Sequence, residues 1–387
     1  MTENGNKVPF IKPFLPPLEE VTPCLERIWE SRILTNGGPL HDEFEQALCH
    51  YLGVKHVSLF SSGTLALIIA LRALELEGEV ITTPFTFPAT LQAILWNKLK
   101  PVFADIRPDD LNIDARLIER AITPETSALL PVHIFGRPCD LTTIGQIAKK
   151  YNLKLIYDAA HAFGSGRHGI PVCRFGDLSV LSFHATKVFN TFEGGAIVCH
   201  DNEMKKRIDL LKNNGIGAAH GPMVCGINAK MTEFQAGVGL CQLKHFEGII
   251  RRRRAADAKY RELMKDIKGL QMLPLPVDTD FNYAFFPVIV DPAAFGAGRD
   301  ELHKFLDSRN IETKKYFHPL VTRLSGLDIK REGDCPVSRF VSEHILCLPL
   351  FDAITEKQIG TVAHAVQSFQ QQRSKITLYS ADKEIHR

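Results

Sequence analysis

The sequence lacks the features that mark membrane, secreted and nucleic-acid-binding proteins. No stretch of it approaches the roughly 20 consecutive apolar residues needed to cross a bilayer, and the polar segment 1–13 has no apolar core of the kind found in a secretory signal. Lysine and arginine together number 46 and aspartate and glutamate 44, giving a formal net charge of +2. This near balance argues against a broad surface for nucleic acid. We therefore expect a cytoplasmic protein with no nucleic-acid partner and no membrane partner.

The nine cysteines form no C-x-x-C pair, and several, such as Cys199 and Cys241, lie in apolar runs. Buried reduced thiols are the simplest interpretation, and we expect neither a disulfide framework nor a metal site. The longest run of like charge is Arg251–Arg254. We interpret it as a solvated helix face, with a local role beside an anionic diphosphate as the alternative.

The first 200 residues alternate short apolar or β-branched runs with helical patterns. Such alternation is typical of βαβ units, and it predicts an α/β fold whose mostly parallel sheet is covered by helices on both faces. The predicted strands are His56–Ser61, Glu79–Thr83, Pro101–Ala104, Ser127–Val132, Lys154–Tyr157, Leu178–Ser182 and Ala196–His200. The helices predicted between them are Thr64–Leu76, Ala89–Asn97, Ala115–Ala121 and Leu141–Tyr151.

The pattern changes after a long or broken helix predicted at Met231–Lys265. Beyond Gly269 the chain is richer in proline, with Phe281–Val290 as the clearest strand and helices at Arg299–Arg309 and Glu356–Gln371. A chain of 387 residues is expected to form two domains. We place the boundary near residue 245, between a large N-terminal domain (1–245) and a smaller α+β C-terminal domain (246–387).

Ligands of an open parallel sheet bind beyond the carboxyl ends of its strands, and two loops with suitable residues follow predicted strands. Ser61–Thr64 leads into a helix, where the N–H groups of Gly63 and Thr64 and the helix dipole favour an anion such as phosphate. An ordinary helix cap is the alternative. Phe87, in a second loop, could stack on a planar ring or belong to the core.

Asp158 and His161 follow another predicted strand. A carboxylate at the end of an apolar strand is costly unless it is paired. A pyridinium nitrogen is a suitable partner, because the carboxylate would keep that nitrogen protonated and strengthen the ring as an electron sink. A metal ligand or a helix cap remains the alternative for Asp158. His161, three residues on, could hydrogen-bond the phenolic oxygen of the same ring.

Lys187 closes the segment Ser182–Lys187, just beyond the next strand. Desolvation lowers the pKa of a lysine and makes its amine nucleophilic, as a Schiff-base residue requires. Ser182 could donate its hydroxyl to a phosphate. A phosphate loop, a stacking aromatic, a carboxylate and a lysine at the strand ends of one sheet together match the needs of pyridoxal 5'-phosphate (PLP).

Several longer motifs resemble the nucleotide-sugar aminotransferases of the DegT type, within the PLP enzymes of fold type I. The resemblance runs from Pro13 to about Phe369. The segments that carry it are Leu34–Pro39, Ser61–Ala66, Asp158–His161, Ser182–Lys187, Glu193–Gly195, Gly226–Ala236 and Tyr316–Leu320. It implies an aspartate aminotransferase-like fold with a seven-stranded, mostly parallel sheet and a smaller C-terminal domain.

The resemblance also implies roles for individual residues. Lys187 would form the Schiff base and move the proton, while Asp158 would pair with the pyridine nitrogen and His161 would lie beside the phenolic oxygen. The phosphate of the cofactor would be bound by Gly63, Thr64 and Ser182, and its ring would stack on Phe87. The substrate would lie near Thr35, Tyr316 and His318. Asn228 would reach the phosphate of the neighbouring subunit, so the resemblance implies a homodimer with shared active sites.

The segment His184–Lys187 is similar to that of family members that aminate C4 of the sugar. The implied reaction converts dTDP-4-keto-6-deoxy-D-glucose into dTDP-4-amino-4,6-dideoxy-D-glucose, with glutamate as the amino donor. Deoxysugar biosynthesis for lipopolysaccharide O-antigen is the implied setting. Lys230 and the pair Thr191–Phe192 depart from the family pattern, which bears on substrate detail and not on the PLP chemistry.

The sequence is also compatible with other functions. The substrate could be a C3-keto or UDP-linked sugar, and a PLP-dependent sugar dehydratase or a non-catalytic sugar-nucleotide sensor could share the fold. Lys187 argues against the dehydratase, in which a histidine replaces the lysine. An NAD-dependent enzyme is disfavoured, because the nearest glycine-rich match, Gly215–His220, lacks the third glycine and follows no strand.

Overall fold

A computed structural model describes residues 7–217, 221, 223–325 and 334–385, with side chains up to Arg373. Residues Ala218 to His220 of the incomplete glycine-rich pattern lie outside this description. Within the described ranges no helix combines the length and apolar character needed to cross a bilayer. In the same ranges, His, Cys, Asp and Glu side chains form no group of three or more that could hold a metal ion.

The strands of the described chain are β1 His56–Phe60, β2 Glu79–Thr82, β3 Lys100–Phe103, β4 Thr126–Leu129, β5 Lys154–Asp158, β6 Gly166–Arg167, β7 Ile170–Pro171, β8 Leu178–Ser182, β9 Gly195–Cys199, β10 Leu270–Met272, β11 Thr279–Asp280, β12 Phe286–Val290 and β13 Ile345–Leu348. Seven of them form the central sheet, in the order β1-β9-β8-β5-β4-β2-β3. All neighbours in this sheet pair in parallel except β9, which runs antiparallel to both β1 and β8.

Helices cover both faces of this sheet. In the described residues they are α1 Leu18–Ser31, α2 Pro39–Leu52, α3 Gly63–Ala73, α4 Pro88–Trp96, α5 Ala115–Ala121, α6 Leu141–Tyr151, α7 Asn202–Lys212, α8 Glu233–Met264, α9 Pro292–Phe295, α10 Arg299–Asp307, α11 Pro336–His344 and α12 Glu356–Ile385. The seven predicted strands and the four helices predicted between them are all confirmed, with ends that differ by at most three residues. The α/β fold with a mostly parallel seven-stranded sheet is therefore confirmed.

The central strands are buried on both faces, which explains their continuous apolar character. Along β9, Ile197 joins a cluster on one side of the sheet and Val198 a cluster on the other. Side chains that alternate in this way hold the two helical layers against one sheet. Polar side chains cap several of the helices. At α6, for example, the side chain of Asp140 accepts the N–H of Thr143.

The C-terminal part of the chain has its own sheet and its own core. Strands β10, β12 and β13 form a three-stranded antiparallel sheet. Helix α8 links this part to the rest, because Phe246 belongs to the main core cluster while Tyr260 and Met264 belong to the C-terminal one. The boundary placed near residue 245 falls inside this helix, and the division into domains 1–245 and 246–387 stays a prediction.

Three predictions in this region were wrong in part. Helix α12 continues to Ile385, beyond its predicted end at Gln371. Strand β12 begins at Phe286 rather than Phe281, because Tyr283 has a φ of +52°, a left-handed conformation that a strand does not tolerate. The run Arg251–Arg254 is not wholly solvated, since Arg253 is only 5% exposed. Its guanidinium donates hydrogen bonds to the backbone carbonyls of Tyr283 and Ala284, in the irregular segment before β12.

Candidate active site

The loop between β1 and α3 presents a helix N-terminus to the carboxyl edge of the sheet. Ser62 caps α3, since its hydroxyl accepts the N–H of Leu65 at 3.2 Å. A Cβ on Gly63 would lie 2.8 Å from the Cβ of Ser182, and a Cβ on Gly195 would lie 2.7 Å from the nitrogen of Gly63. Only glycines allow this close packing. It brings the first N–H groups of α3 and the Ser182 hydroxyl together, as an anion site requires.

Asp158 lies at the end of β5 with a buried carboxylate. One oxygen, Oδ2, accepts the hydroxyl of Thr90 at 2.7 Å, and the other, Oδ1, accepts the N–H of Ala160 at 3.1 Å. Burial raises the pKa of Asp158, although these two hydrogen bonds and the charge of Lys187 oppose the rise. A buried carboxylate of this kind is stabilised in its charged form by a cationic N–H partner.

Lys187 lies in the turn after β8 and is half-buried. Burial lowers the pKa of its amine to about 8, while the nearby charge of Asp158 pulls that pKa upward. An ordinary lysine has a pKa of 10.5. The amine of Lys187 is therefore available as a free base, and so as a nucleophile, at a pH where other lysines are protonated.

His161 is held as a neutral imidazole with a defined tautomer. Burial lowers its pKa well below the ordinary value, and the charge of Lys187 acts in the same direction. The N–H of Phe135 donates to Nδ1 at 3.3 Å. Nδ1 therefore carries no hydrogen, and Nε2 must carry it and act as a donor. The imidazole lies parallel to the ring of Phe317, with 5.9 Å between centroids and 3° between planes.

A single cavity of about 580 Å³ brings most of the predicted site residues together. Phe87 lines this cavity and is 53% exposed, so its ring is available for stacking. Predicted residues that line the cavity are Gly63, Thr64, Phe87, Asp158, His161, Ser182, Lys187 and Tyr316.

Three predicted residues do not line this cavity. Asn228 forms an isolated bridge with Asn213, in the segment that precedes α8. Thr35 is half-buried in the loop between α1 and α2. His318 is exposed, and its Nδ1 lies 3.3 Å from the hydroxyl oxygen of Ser342.

The structure adds residues to which the sequence analysis gave no role. Thr90, whose hydroxyl donates to Asp158, lies three residues after Phe87, and no local signal in the sequence showed where that hydroxyl points. Phe285 packs edge-on against His161, with 5.1 Å between the ring centroids. At the cavity wall, Nε2 of His184 lies 3.5 Å from Oε1 of Glu193.

The donor and acceptor groups of the cavity fit PLP. The cofactor has a phosphate, a ring nitrogen that becomes cationic, a phenolic oxygen and an aldehyde. The cavity offers, in the same order, the N-terminus of α3 with Ser182, the Asp158 carboxylate, the Nε2–H of His161 and the amine of Lys187. Each polar group of the cofactor thus has a chemically matched residue in one cavity.

Comparison with known proteins gives an independent result. The profile of the DegT/DnrJ/EryC1/StrS aminotransferase family matches residues 18–367. A Shigella dysenteriae protein named dTDP-4-amino-4,6-dideoxy-D-glucose transaminase is 49% identical over 340 residues, which cover 88% of this chain and 92% of that protein. An Escherichia coli protein of the same name is 45% identical over 360 residues, covering 92% and 96%.

Solved structures agree with this result. The crystal structure of DesI, determined in the presence of its TDP-sugar product, matches with a TM-score of 0.92 at 34% identity. The match covers 97% of this chain and 96% of that one. Because the family profile, the relatives and the solved structure all cover most of its length, the chain belongs to the DegT/DnrJ/EryC1/StrS aminotransferase family.

Proposed function

We propose that this PLP-dependent aminotransferase transfers the amino group of glutamate to C4 of dTDP-4-keto-6-deoxy-D-glucose, forming dTDP-4-amino-4,6-dideoxy-D-glucose. The names of the two relatives at 49% and 45% identity support this substrate. The single observation that carries the proposal is the presence of Lys187 and Asp158 in one cavity with the N-terminus of α3. That combination supports transfer chemistry over the mere binding of a sugar nucleotide.

Lys187 is the proposed catalytic residue. With a pKa of about 8, its amine can take a proton from the substrate carbon and return it near neutral pH. Its place beside the cavity also allows the same amine to bind the aldehyde of the cofactor. When bound, PLP supplies an electron-withdrawing ring that stabilises negative charge at the substrate carbon.

Asp158 and His161 are proposed to hold the ring from two sides. The carboxylate of Asp158, fixed by Thr90 and Ala160, would keep a proton on the ring nitrogen. His161 would donate from Nε2 to the phenolic oxygen, since its Nδ1 already accepts the N–H of Phe135. The aromatic ring of Phe87 would cover the ring face and exclude water.

The phosphate is proposed to bind at Gly63, Thr64 and Ser182, where the dipole of α3 favours negative charge. Asn228 would complete this site from the neighbouring subunit, which makes the proposed active unit a homodimer. The position of Asn228 away from the cavity of its own chain supports this arrangement. Large apolar side chains left exposed in the described chain, among them Leu18, Trp29 and Leu34, support an interface as well.

The substrate contacts are proposed from position alone. Tyr316 lines the cavity and is the best supported of them. Thr35 and His318 lie outside it, and we propose that they approach the sugar nucleotide beyond the cavity mouth. Free thiols at all nine cysteines support a cytoplasmic enzyme. The amino sugar would then serve surface glycans such as lipopolysaccharide O-antigen.

The test is an assay of product structure. The purified protein is incubated with glutamate and a panel of sugar nucleotides with a keto group at C3 or C4 and a dTDP or UDP carrier, and products are identified by mass and NMR. We expect a 4-amino product from dTDP-4-keto-6-deoxy-D-glucose, and none with Lys187→Ala. Amination of another panel member alone would overturn the proposed substrate, and loss of water without amination would overturn the proposed reaction.

A further inference from the structure

The irregular segment before β12 is tied to the turn that carries His161. Asn282, at its start, is 1% exposed. Its Nδ2 donates to the carbonyl of His161 at 2.6 Å and to the carbonyl of Phe163 at 3.0 Å. Its Oδ1 accepts the N–H of Ala284 at 3.1 Å. One amide side chain therefore fixes the backbone of His161 and the segment that leads into β12.

Arg253 of helix α8 makes hydrogen bonds to the same segment. Its Nε donates to the carbonyl of Tyr283 and its Nη2 to the carbonyl of Ala284, both at 2.8 Å. Burial lowers the pKa of this guanidinium to about 10, with the charge of Asp352 opposing the shift. Burying a cation costs free energy unless its N–H groups are hydrogen-bonded, and the carbonyls of Tyr283 and Ala284 accept two of those N–H groups.

Asn282 also lies beside the hydrogen bond that sets the tautomer of His161. A Cβ on Gly136 would lie 2.2 Å from Oδ1 of Asn282 and 2.9 Å from the carbonyl oxygen of His161. Gly136 follows Phe135, whose N–H donates to Nδ1 of His161. Asn282 therefore lies against the backbone of both partners of this hydrogen bond, at the carbonyl of His161 and at Gly136, the residue after Phe135.

We propose that Asn282 and Arg253 are positioning residues for His161: they clamp the segment Asn282–Phe285 onto its turn and so fix the imidazole with Nε2–H directed to the cofactor. This inference rests on the proposed role of His161 in binding the ring. It assigns a function to one arginine of the run Arg251–Arg254. It also explains why an amide, with a donor and an acceptor, occupies position 282.

The first test needs neither cofactor nor substrate. In the apoenzyme labelled with ¹⁵N-histidine, the signals of His161 are identified by comparison with His161→Gln. The wild type should show one protonated nitrogen and one unprotonated nitrogen. Asn282→Asp keeps the shape and Oδ1 but loses the donor to both carbonyls, so the two signals should move toward each other as the tautomers mix. Unchanged signals in this variant would overturn the proposal.

Arginine variants extend this test and cover the case in which Asn282→Asp does not fold. Arg253→Met should mix the tautomers, and Arg253→Lys, which can restore one of the two hydrogen bonds, should do so less. Arg251→Met, in the exposed part of the same run, is the matched control and should leave the signals in place. Equal effects of Arg253→Met and Arg251→Met would contradict the assignment.

A second test uses the holoenzyme and a double variant. Asn282→Asp alone should lower kcat by about 100-fold, the size of loss caused by a misplacement of ~1 Å. In a His161→Gln background the same change should cost little more, because residues that act through one another are not additive. Losses that simply add would show a general structural role. If transamination itself proved wrong, the apoenzyme signals would still decide the positioning role.

Discussion

At the scale of single residues, the site depends on how burial alters three titratable groups. Burial lowers the pKa of Lys187, raises that of Asp158 and lowers that of His161. The same desolvation thus makes an amine nucleophilic and keeps an imidazole neutral. It also leaves the carboxylate of Asp158 in need of a cationic partner. These are the protonation states in which the three groups would serve PLP in the proposed roles.

The titration of Lys187 can be measured directly. In the apoenzyme, labelling by limiting acetic anhydride, read at each lysine by peptide mass, should rise with pH around a midpoint near 8 at Lys187, against 10.5 for an ordinary lysine. Asp158→Asn should move that midpoint lower, because the carboxylate favours the ammonium form. A midpoint near that of exposed lysines would show that the amine is not desolvated.

Thr90 offers a second prediction at this scale. Thr90→Val keeps the shape but removes the hydrogen bond to Asp158, so the pKa of that carboxyl should rise further. A hydrogen bond to a charged group is worth about 1.5–3 kcal/mol, so PLP affinity should fall by about 10-fold to 100-fold, as measured by equilibrium dialysis. Thr86→Val is the matched control: Thr86 contacts Thr90 and not Asp158, and its effect should be smaller. Equal losses in the two variants would refute the role of Thr90.

At the scale of elements, the site is formed where α3 begins against the end of β8. Gly63→Ala would place a Cβ 2.8 Å from Ser182, which would force the helix start away from the strand. PLP affinity and thermal stability should both fall, measured by cofactor titration and by calorimetry.

The control for that change lies in another helix. A Cβ on Gly145, in α6, would meet nothing within 4 Å. Gly145→Ala should leave PLP binding unchanged and stabilise the protein by up to about 1 kcal/mol, because alanine favours helix. Normal cofactor binding in Gly63→Ala would mean that the close approach of helix and strand is not needed.

The parts of the fold and site that sequence reasoning predicted are those with local signals. The strands around Asp158 and Ser182 are continuous apolar runs, and Lys187 stands in a short motif. Contacts that depend on distant parts of the chain were missed. Thr90 is 68 residues from Asp158 and Asn282 is 121 residues from His161, and no local pattern reports such pairings. The left-handed conformation of Tyr283 likewise excluded the first five residues of the predicted strand, and no glycine in the sequence signalled it.

At the scale of the whole molecule, the proposed sharing of active sites makes a prediction about mixed dimers. Lys187→Ala and Asn228→Ala should each be nearly inactive as separate homodimers. If Asn228 acts in the partner's site, a mixed dimer contains one complete site. Coexpression of the two variants with different tags should then restore about a quarter of wild-type activity, since random pairing makes half of the dimers mixed.

Coexpression would give a different result if Asn228 acted in its own chain. If Asn228 served the site of its own chain, a mixed dimer would have no complete site, and activity would stay at the level of the separate variants. Wild-type activity in Asn228→Ala alone would remove the residue from the site.

Borohydride reduction of the holoenzyme, followed by peptide mass analysis, shows whether the amine of Lys187 binds PLP covalently in the cavity that contains Asp158. We expect the reduced cofactor on the peptide that contains Lys187, and no reduced cofactor on the corresponding peptide of Lys187→Ala. Reduced cofactor on a different lysine, or a protein that takes up no PLP, would contradict this expectation.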